Sequence, residues 1–238
     1  MPARFWGPER LDPAAWREFA ALLATETEIA VLLAALADSS DVVDVGGGTG
    51  LITQAIAQRM PVLVIEPVEE QRAHLPPGIT ARPGRAEALP LPDHACDAAI
   101  ATWVLQYTDD PMRAVDELAR VARRRVVLVQ AAPGNDLVEV YNREAAVAGL
   151  PPAHHGWLLA GAATRLEVAG FTVTLERVAI SVPAPHGARR LADVLGRLHF
   201  AGHPQLSEMI AATEPFIAAR LAATGAMSDD GVVLRAVR

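Results

Sequence analysis

The sequence predicts an α/β fold, a mostly parallel sheet covered by helices on both faces. Three observations predict it. Strand and helix patterns alternate from Val42 to Val129, the signature of βαβ units. The strands read as nearly continuous apolar runs, such as VVDV at 42–45 and VVLV at 126–129, as strands buried on both faces do. The first of them runs into Gly46-Gly47-Gly48-Thr49-Gly50, so four of five residues at a strand-to-helix turn are glycine.

The elements follow in order. Asp12-Pro13 reads as an N-cap with proline at the first helical position, opening a helix to about Leu23. A second helix covers about Thr27 to Ala37, with Ile29, Leu32, Leu33 and Leu36 on one face. Strand Val42–Val45 is followed by a helix from about Leu51 to Gln58, strand Val62–Glu66 and a weak strand near Ile79–Arg82. Another strand begins at Asp97-Ala98-Ala99-Ile100, and a helix from about Pro111 to Ala122 precedes strand Val126–Val129. Beyond Gln130 the pattern loosens into a helix at 135–148, a Pro/His-rich turn at 149–156 and a helix at 157–169 ending in the C′ glycine Gly170. A strand at 171–178, a proline-rich loop at 181–187, two helices within 188–225 and a last strand at 232–237 complete the reading. Arg123-Arg124-Arg125 reads as a solvated charge run that complements a helix C-terminus.

Composition sets limits. With 238 residues, 51% of them hydrophobic, the chain can bury a substantial core. A net charge of −7 argues against a phosphate-backbone partner, so no nucleic acid is expected. The longest nearly apolar stretch, Ile29–Ala37, is about half of what a bilayer span needs, so no membrane partner is expected. A single cysteine, Cys96, excludes an intrachain disulfide and a cysteine zinc cluster. Together with a start, MPARFWGPER, that has no apolar signal core, it points to the cytoplasm. All basic side chains are arginine, so no lysine of this chain can form a Schiff base.

The glycines carry the chemistry. Glycine permits positive φ and lets a ligand approach the main chain without meeting a Cβ. The following helix offers unpaired N–H groups and a positive dipole end. A tight turn that binds nothing would need only one or two glycines. A P-loop is excluded because no Gly-Lys-Ser/Thr follows. The spacing Asp44-x-Gly46-x-Gly48-x-Gly50 also departs from the G-x-G-x-x-G dinucleotide fingerprint, which disfavours a nicotinamide dehydrogenase. The next strand ends in Glu66, and an acid there can accept from both ribose hydroxyls of a nucleoside.

These motifs resemble those of class I S-adenosylmethionine-dependent methyltransferases. VVDVGGGTG is similar to their first motif and VLVIEP to their second. PGRAEALPLPDHACDAAIATWVLQYTDDP resembles the third and fourth in the branch that includes ubiquinone/menaquinone and antibiotic-tailoring methyltransferases, and RLEVAGFTVTLERV resembles a late helix–strand junction. The resemblance implies a Rossmann-like methyltransferase fold, with a mostly parallel seven-stranded sheet, helices on both faces and a helical cap. It implies a single domain over 1–238, with its core at about 27–178 and 226–238 and its cap from 1–26 and 180–225. The implied cofactor is S-adenosyl-L-methionine. The implied activity is methyl transfer to an O, N or C nucleophile of a small-molecule acceptor, in secondary metabolism. A protein side chain as acceptor, or a subunit that binds the cofactor without transferring methyl, are the alternatives. A homodimer is compatible with the family.

Roles carry over by position. Gly46, Gly47, Gly48 and Gly50 would hold the methionine portion, with Asp44 ordering the loop and meeting the amino group. Glu66 would bind the ribose and Pro67 shape the adenine slot. Ala86 and Glu87 would line the adenine edge; the family's Gly-Asp-Ala-Glu reads Gly84-Arg85-Ala86-Glu87 here, which shifts the amine contact to Glu87. Ala101 and Thr102 would lie beneath the sulfonium. Trp103, Gln106, Trp6 and His199 are candidates for acceptor contact, and Trp6 could equally be core. His154, His155 and Tyr141, after the fifth strand, are the candidates for a catalytic base where the acceptor must lose a proton. His199 and His203 have i, i+4 spacing. Gly202 between them, Pro204 after them and the lack of a third ligand argue against a metal.

Overall fold

The computed structural model describes residues 12–23, 25–151 and 157–238. The strands are β1 (Val42–Val45), β2 (Val62–Ile65), β3 (Thr80–Arg82), β4 (Cys96–Thr102), β5 (Ala122–Ala131), β6 (Thr172–Val178), β7 (Ser181–Val182), β8 (Met227–Ser228) and β9 (Gly231–Val237). The helices are α1 (Pro13–Ala20), α2 (Glu26–Ala35), α3 (Thr53–Ala57), α4 (Glu69–Ala73), α5 (Pro111–Val121), α6 (Asp136–Val147), α7 (Trp157–Val168), α8 (Gly187–Phe200) and α9 (Leu206–Thr224). Among the described residues no helix is long and apolar enough to cross a membrane.

Two compact units emerge. The larger comprises the described residues of 26–130, 156–178 and 231–238. It holds a seven-stranded sheet in the order β3-β2-β1-β4-β5-β9-β6. β1 to β5 pair in parallel, Val43 lying opposite Leu63 on one side and Ala99 on the other. β9 is antiparallel to β6. It also runs against β5, because Ala132 N donates to Asp230 O and Arg238 N to Arg124 O. The sheet is thus parallel apart from one reversed strand, the expected Rossmann-like class. Strand order reverses between β1 and β4, and the crevice at their carboxyl ends is where open α/β sheets take ligands.

The helices of this unit are set by local signals. Asp110 caps α5 by accepting from Arg113 N at 3.0 Å, with Pro111 at the first position. Ala114, Val115, Leu118 and Val121 then recur at helical spacing and are buried beside β4 and β5. Gly170 ends α7 at φ +86, with Phe171 N closing back on Leu166 O, the glycine C-terminus that the sequence predicts.

The second unit draws on the described residues of 1–25, 131–155 and 179–230. It contains α1, α6, α8 and α9, whose Phe19, Val140, Leu195 and Ile217 share one apolar cluster. Asp12 caps α1 through Ala15 N at 2.7 Å, as its sequence indicates. α6, assigned to the core by sequence, packs in this unit with α8 and α9. The stretch Ser181–Val182, expected as loop, forms a two-residue ribbon with β8.

The arginine run corrects the sequence reading. β5 starts at Ala122, so all three arginines are strand residues. Arg125 is only 5% exposed, and its guanidinium donates to Ala37 O and Ser39 Oγ in the connection from α2 to β1. Arg123 pairs with Asp41 at 3.0 Å, half-exposed. Arg125→Ala removes a buried guanidinium from two part-buried hydrogen bonds and should lower unfolding free energy by about 1–3 kcal/mol. Arg123→Ala should lower it by less than about 1 kcal/mol. Chemical denaturation of the two variants measures both.

Candidate functional site

The loop between β1 and α3 is built around backbone that only glycine tolerates. Gly46, Gly48 and Gly50 have φ of +74, +56 and +85. A Cβ on Gly46 would stand 2.5 Å from Val104 Cγ2, and one on Gly50 2.7 Å from Pro76 Cδ. At Gly48 the nearest atom to such a Cβ would be Gln71 Oε1, at 3.5 Å. Two positions are therefore closed by packing, while Gly48 is bare backbone.

Two buried acids frame this loop. Asp44, on β1, is 1% exposed. Its Oδ2 accepts from Thr53 Oγ1 at 2.5 Å, while its Oδ1 is buried with no hydrogen-bond partner among the described residues. Burial lifts its pKa from 3.8 to about 6; the Thr53 hydroxyl opposes the rise and the negative charge of Glu66 adds to it. Glu66, at the end of β2, accepts from Gly48 N at 3.1 Å through Oε2 and from Val68 N at 2.9 Å through Oε1. Arg72 donates to its carbonyl at 2.6 Å. Glu66 thus ties the glycine loop to the end of β2, a task its position in the sequence does not announce.

Further acceptors stand nearby in sequence or space. Gln71 Oε1 and Gln106 Oε1 are buried without partners among the described residues. Gln106 lies on the short turn Leu105–Tyr107 that follows β4. Asp44 and Gln71, both beside the glycine loop, are unmatched buried acceptors among the described residues. Leaving them so is costly, and a ligand rich in N–H and O–H groups would satisfy them. An ammonium group and a ribose diol are such donors, so the residues present fit the amino-acid and ribose ends of S-adenosylmethionine.

The remaining predicted positions are placed as follows. Pro67 directly follows Glu66. Ala86 is buried in the turn where Ala88 N meets Arg85 O. Glu87 is occupied: Oε1 accepts from Asp109 N at 2.7 Å, and Oε2 lies 3.6 Å from Arg85 Nε. It fastens the segment after β3 to the start of α5. Ala101 is fully buried and Thr102 partly so, at the end of β4. Trp103 comes next, at φ +60, an outlier for a bulky residue worth about 1–3 kcal/mol of strain. Its indole Nε1 donates to Glu28 Oε1 on α2 at 2.8 Å. Glu28 is 2% exposed, and its pKa is raised by burial, with the indole N–H opposing.

Tyr141 and His199 are brought together in the helical unit. Their rings meet edge to face at 4.7 Å, and both are buried. Trp6, His154 and His155 lie outside the described residues. Thr53, Gln71, Arg72 and Glu28 were not singled out by sequence. Thr53 could have been, as a hydroxyl just beyond a glycine turn that begins with a buried acid. Glu28 was hidden among the acids expected at a helix start.

With this geometry in hand, comparison with known proteins is direct. Residues 43–129 match the family described as Methyltransferase domain. A 92-residue stretch is 37% identical to 2-methyl-6-phytyl-1,4-hydroquinone methyltransferase 2, chloroplastic, of Oryza sativa subsp. japonica, covering 34% of this chain and 26% of that protein. Over 127 residues the chain is 34% identical to an uncharacterized methyltransferase of Mycobacterium sp. (strain JLS), covering 51% of this chain and 47% of that protein. The matches thus span between about a quarter and about half of the length of these curated relatives. The crystal structure of the YcgJ protein from Bacillus subtilis superimposes with a TM-score of 0.63 at 16% identity, covering 88% of this chain and 97% of that one, a likeness of fold. The family uses S-adenosyl-L-methionine. Residues 43–129 therefore carry the match to a methyltransferase domain of the class I, S-adenosylmethionine-dependent kind.

Proposed function

We propose that this protein transfers the methyl group of S-adenosylmethionine to an O, N or C nucleophile of a small organic acceptor in secondary metabolism. The observation that carries the reading is the glycine turn Gly46–Gly50, with bare backbone at Gly48, between two buried acids, one of which keeps an oxygen unmatched among the described residues. When bound, the cofactor supplies an activated sulfonium methyl. Asp44 would receive the ammonium group on Oδ1, and Gly48 would let the chain of the ligand pass close to the main chain. Glu66, already oriented by two N–H groups, would accept from the ribose hydroxyls. Pro67, Ala86 and Glu87 would border the base, while Ala101 and Thr102 would lie under the sulfur. The protein then works chiefly by alignment and exclusion of water, which can lower a barrier by about 7–11 kcal/mol in the best cases.

A small acceptor is supported by the curated relative named for a hydroquinone. Tyr141 and His199, the buried aromatic pair of the helical unit, and, separately, Trp103 and Gln106 beyond β4 are candidates for acceptor contact. His154, His155 and Trp6 remain candidates as well. A general base, where the acceptor must lose a proton, would be sought first among His154, His155 and Tyr141. The whole chain, core and cap, is proposed to act as one catalytic domain.

Calorimetric titration with S-adenosylmethionine, S-adenosylhomocysteine and NAD tests the cofactor reading. Micromolar binding of the first two and none of NAD is expected; NAD binding alone would overturn it. Glu66→Ala should weaken S-adenosylhomocysteine binding by about 1–3 kcal/mol, and a folded variant of parental affinity would remove Glu66 from the site. Asp44 gives a pH signature. Its folded pKa, about 6, is raised above the unfolded value. Its contribution to stability is therefore present below about 4 and lost as pH rises through 6. Ligand binding has the opposite need, because the ammonium group requires the carboxylate. Affinity should hold above pH 7 and fall below about 6, approaching tenfold per pH unit. Asp44→Asn should flatten that profile and be no less stable than the parent at pH 8.

A further inference from the structure

We infer that Glu28 is a positioning residue of the cofactor site, acting through Trp103. The inference rests on the reading of Gly46–Gly50 as the cofactor cradle. Trp103 occupies the first position after β4, at the crevice where strand order reverses, in a conformation that side chains of its size rarely adopt. Something must hold it there, and three contacts do. Its backbone N–H donates to Val129 O at 2.9 Å. Its ring lies against the bare backbone of Gly231, where a Cβ would come within 3.2 Å of Cζ2. Its indole N–H is taken by Glu28. The first two restrain the backbone and the ring edge. Among the described residues Glu28 alone fixes the rotation of the indole by a directional bond, and it does so from a buried carboxyl, a costly group to place there for packing alone.

The consequence reaches the glycine loop. Val104, the next residue, fills the space that a Cβ on Gly46 would need. The left-handed turn at Trp103 thus sets where Val104 presses on the loop, and Glu28 sets the turn. Glu28 makes no contact with the ligand in this arrangement. It keeps the floor beside β4 and the loop beside β1 in one mutual geometry.

The test uses three single variants, the Glu28→Leu, Trp103→Phe double variant, calorimetry with S-adenosylhomocysteine, and the indole N–H resonances in nitrogen-15 correlation spectra. Glu28→Leu removes the acceptor, Glu28→Gln keeps an amide oxygen for the indole, and Trp103→Phe removes the donor and identifies the Trp103 resonance by its loss. Glu28→Leu should weaken binding at least fivefold and move the Trp103 indole signal upfield. Glu28→Gln should bind within about twofold of the parent. Glu28→Leu should add no further loss in the Trp103→Phe background, as two residues acting through one bond require. A folded Glu28→Leu with parental affinity, or additive losses in the double variant, would overturn the inference. If Glu28→Leu does not fold, Trp103→Phe decides: parental affinity in that variant overturns it equally. A parent that does not bind S-adenosylhomocysteine would defeat the cradle reading itself, and this inference with it. A binding parent with indifferent variants defeats the inference alone.

Discussion

The exit of the chain from β1 constrains everything around the site. Within seven residues the backbone must turn from a buried central strand into α3, and it does so through three positive φ values. Two of those glycines sit where a side chain would collide with Val104 or Pro76. The turn is therefore shaped from outside by the segments after β4 and α4 as much as by its own torsions. It survives because hydrogen bonds replace the side-chain packing that glycines cannot provide: Gly46 N to Ile65 O, Gly48 N to Glu66 and Gly50 N to Gly47 O. Two of these three bonds run to the end of β2, so β2 is the template against which the loop is folded.

The electrostatics follow from that arrangement. Asp44 and Glu66 are two negative groups held in a region of little water. Burial, and after it the negative charge of Glu66, makes Asp44 harder to ionise. Glu66 is stabilised by two main-chain N–H donors, Asp44 by a single hydroxyl. The pair is thus asymmetric: one acid is engaged in structure and the other is poised for a positive or donor-rich guest. A site of this sign repels phosphates, which separates it from nucleotide-binding loops that also use glycines at a helix start.

Much of this was legible in the sequence. The parallel sheet was visible in the alternation of apolar runs with helical spacing, and the helix starts at Asp12 and Asp110 are readable because capping is local. The reversed strand and the sheet order depend on pairings between distant segments, which no local pattern encodes. The arginine run was misread for a related reason. Arg125 looks solvated by type, yet its acceptors are a carbonyl 88 and a hydroxyl 86 residues away. At the site, glycines and strand-end acids announced themselves through spacing. Gln71 and Glu28 did not, since a polar residue near a helix start is ordinarily a surface residue. Their importance comes from burial, which only the tertiary structure assigns. The helical unit was the least legible, because its three segments are interrupted by segments of the sheet unit.

The place of β9 has a consequence for biosynthesis. β5 and β6 are never neighbours; the slot between them belongs to a strand that emerges from the ribosome only after α8 and α9. Until then both strands expose unsatisfied edges, and β6 has no neighbour in the sheet at all. Unpaired edges of this kind are the usual starting points of wrong association during folding. The nascent chain therefore passes through a stage in which the whole parallel half of the sheet, cradle included, has been synthesised while the sheet is still open. The insertion of one late strand converts that vulnerable intermediate into the finished layer.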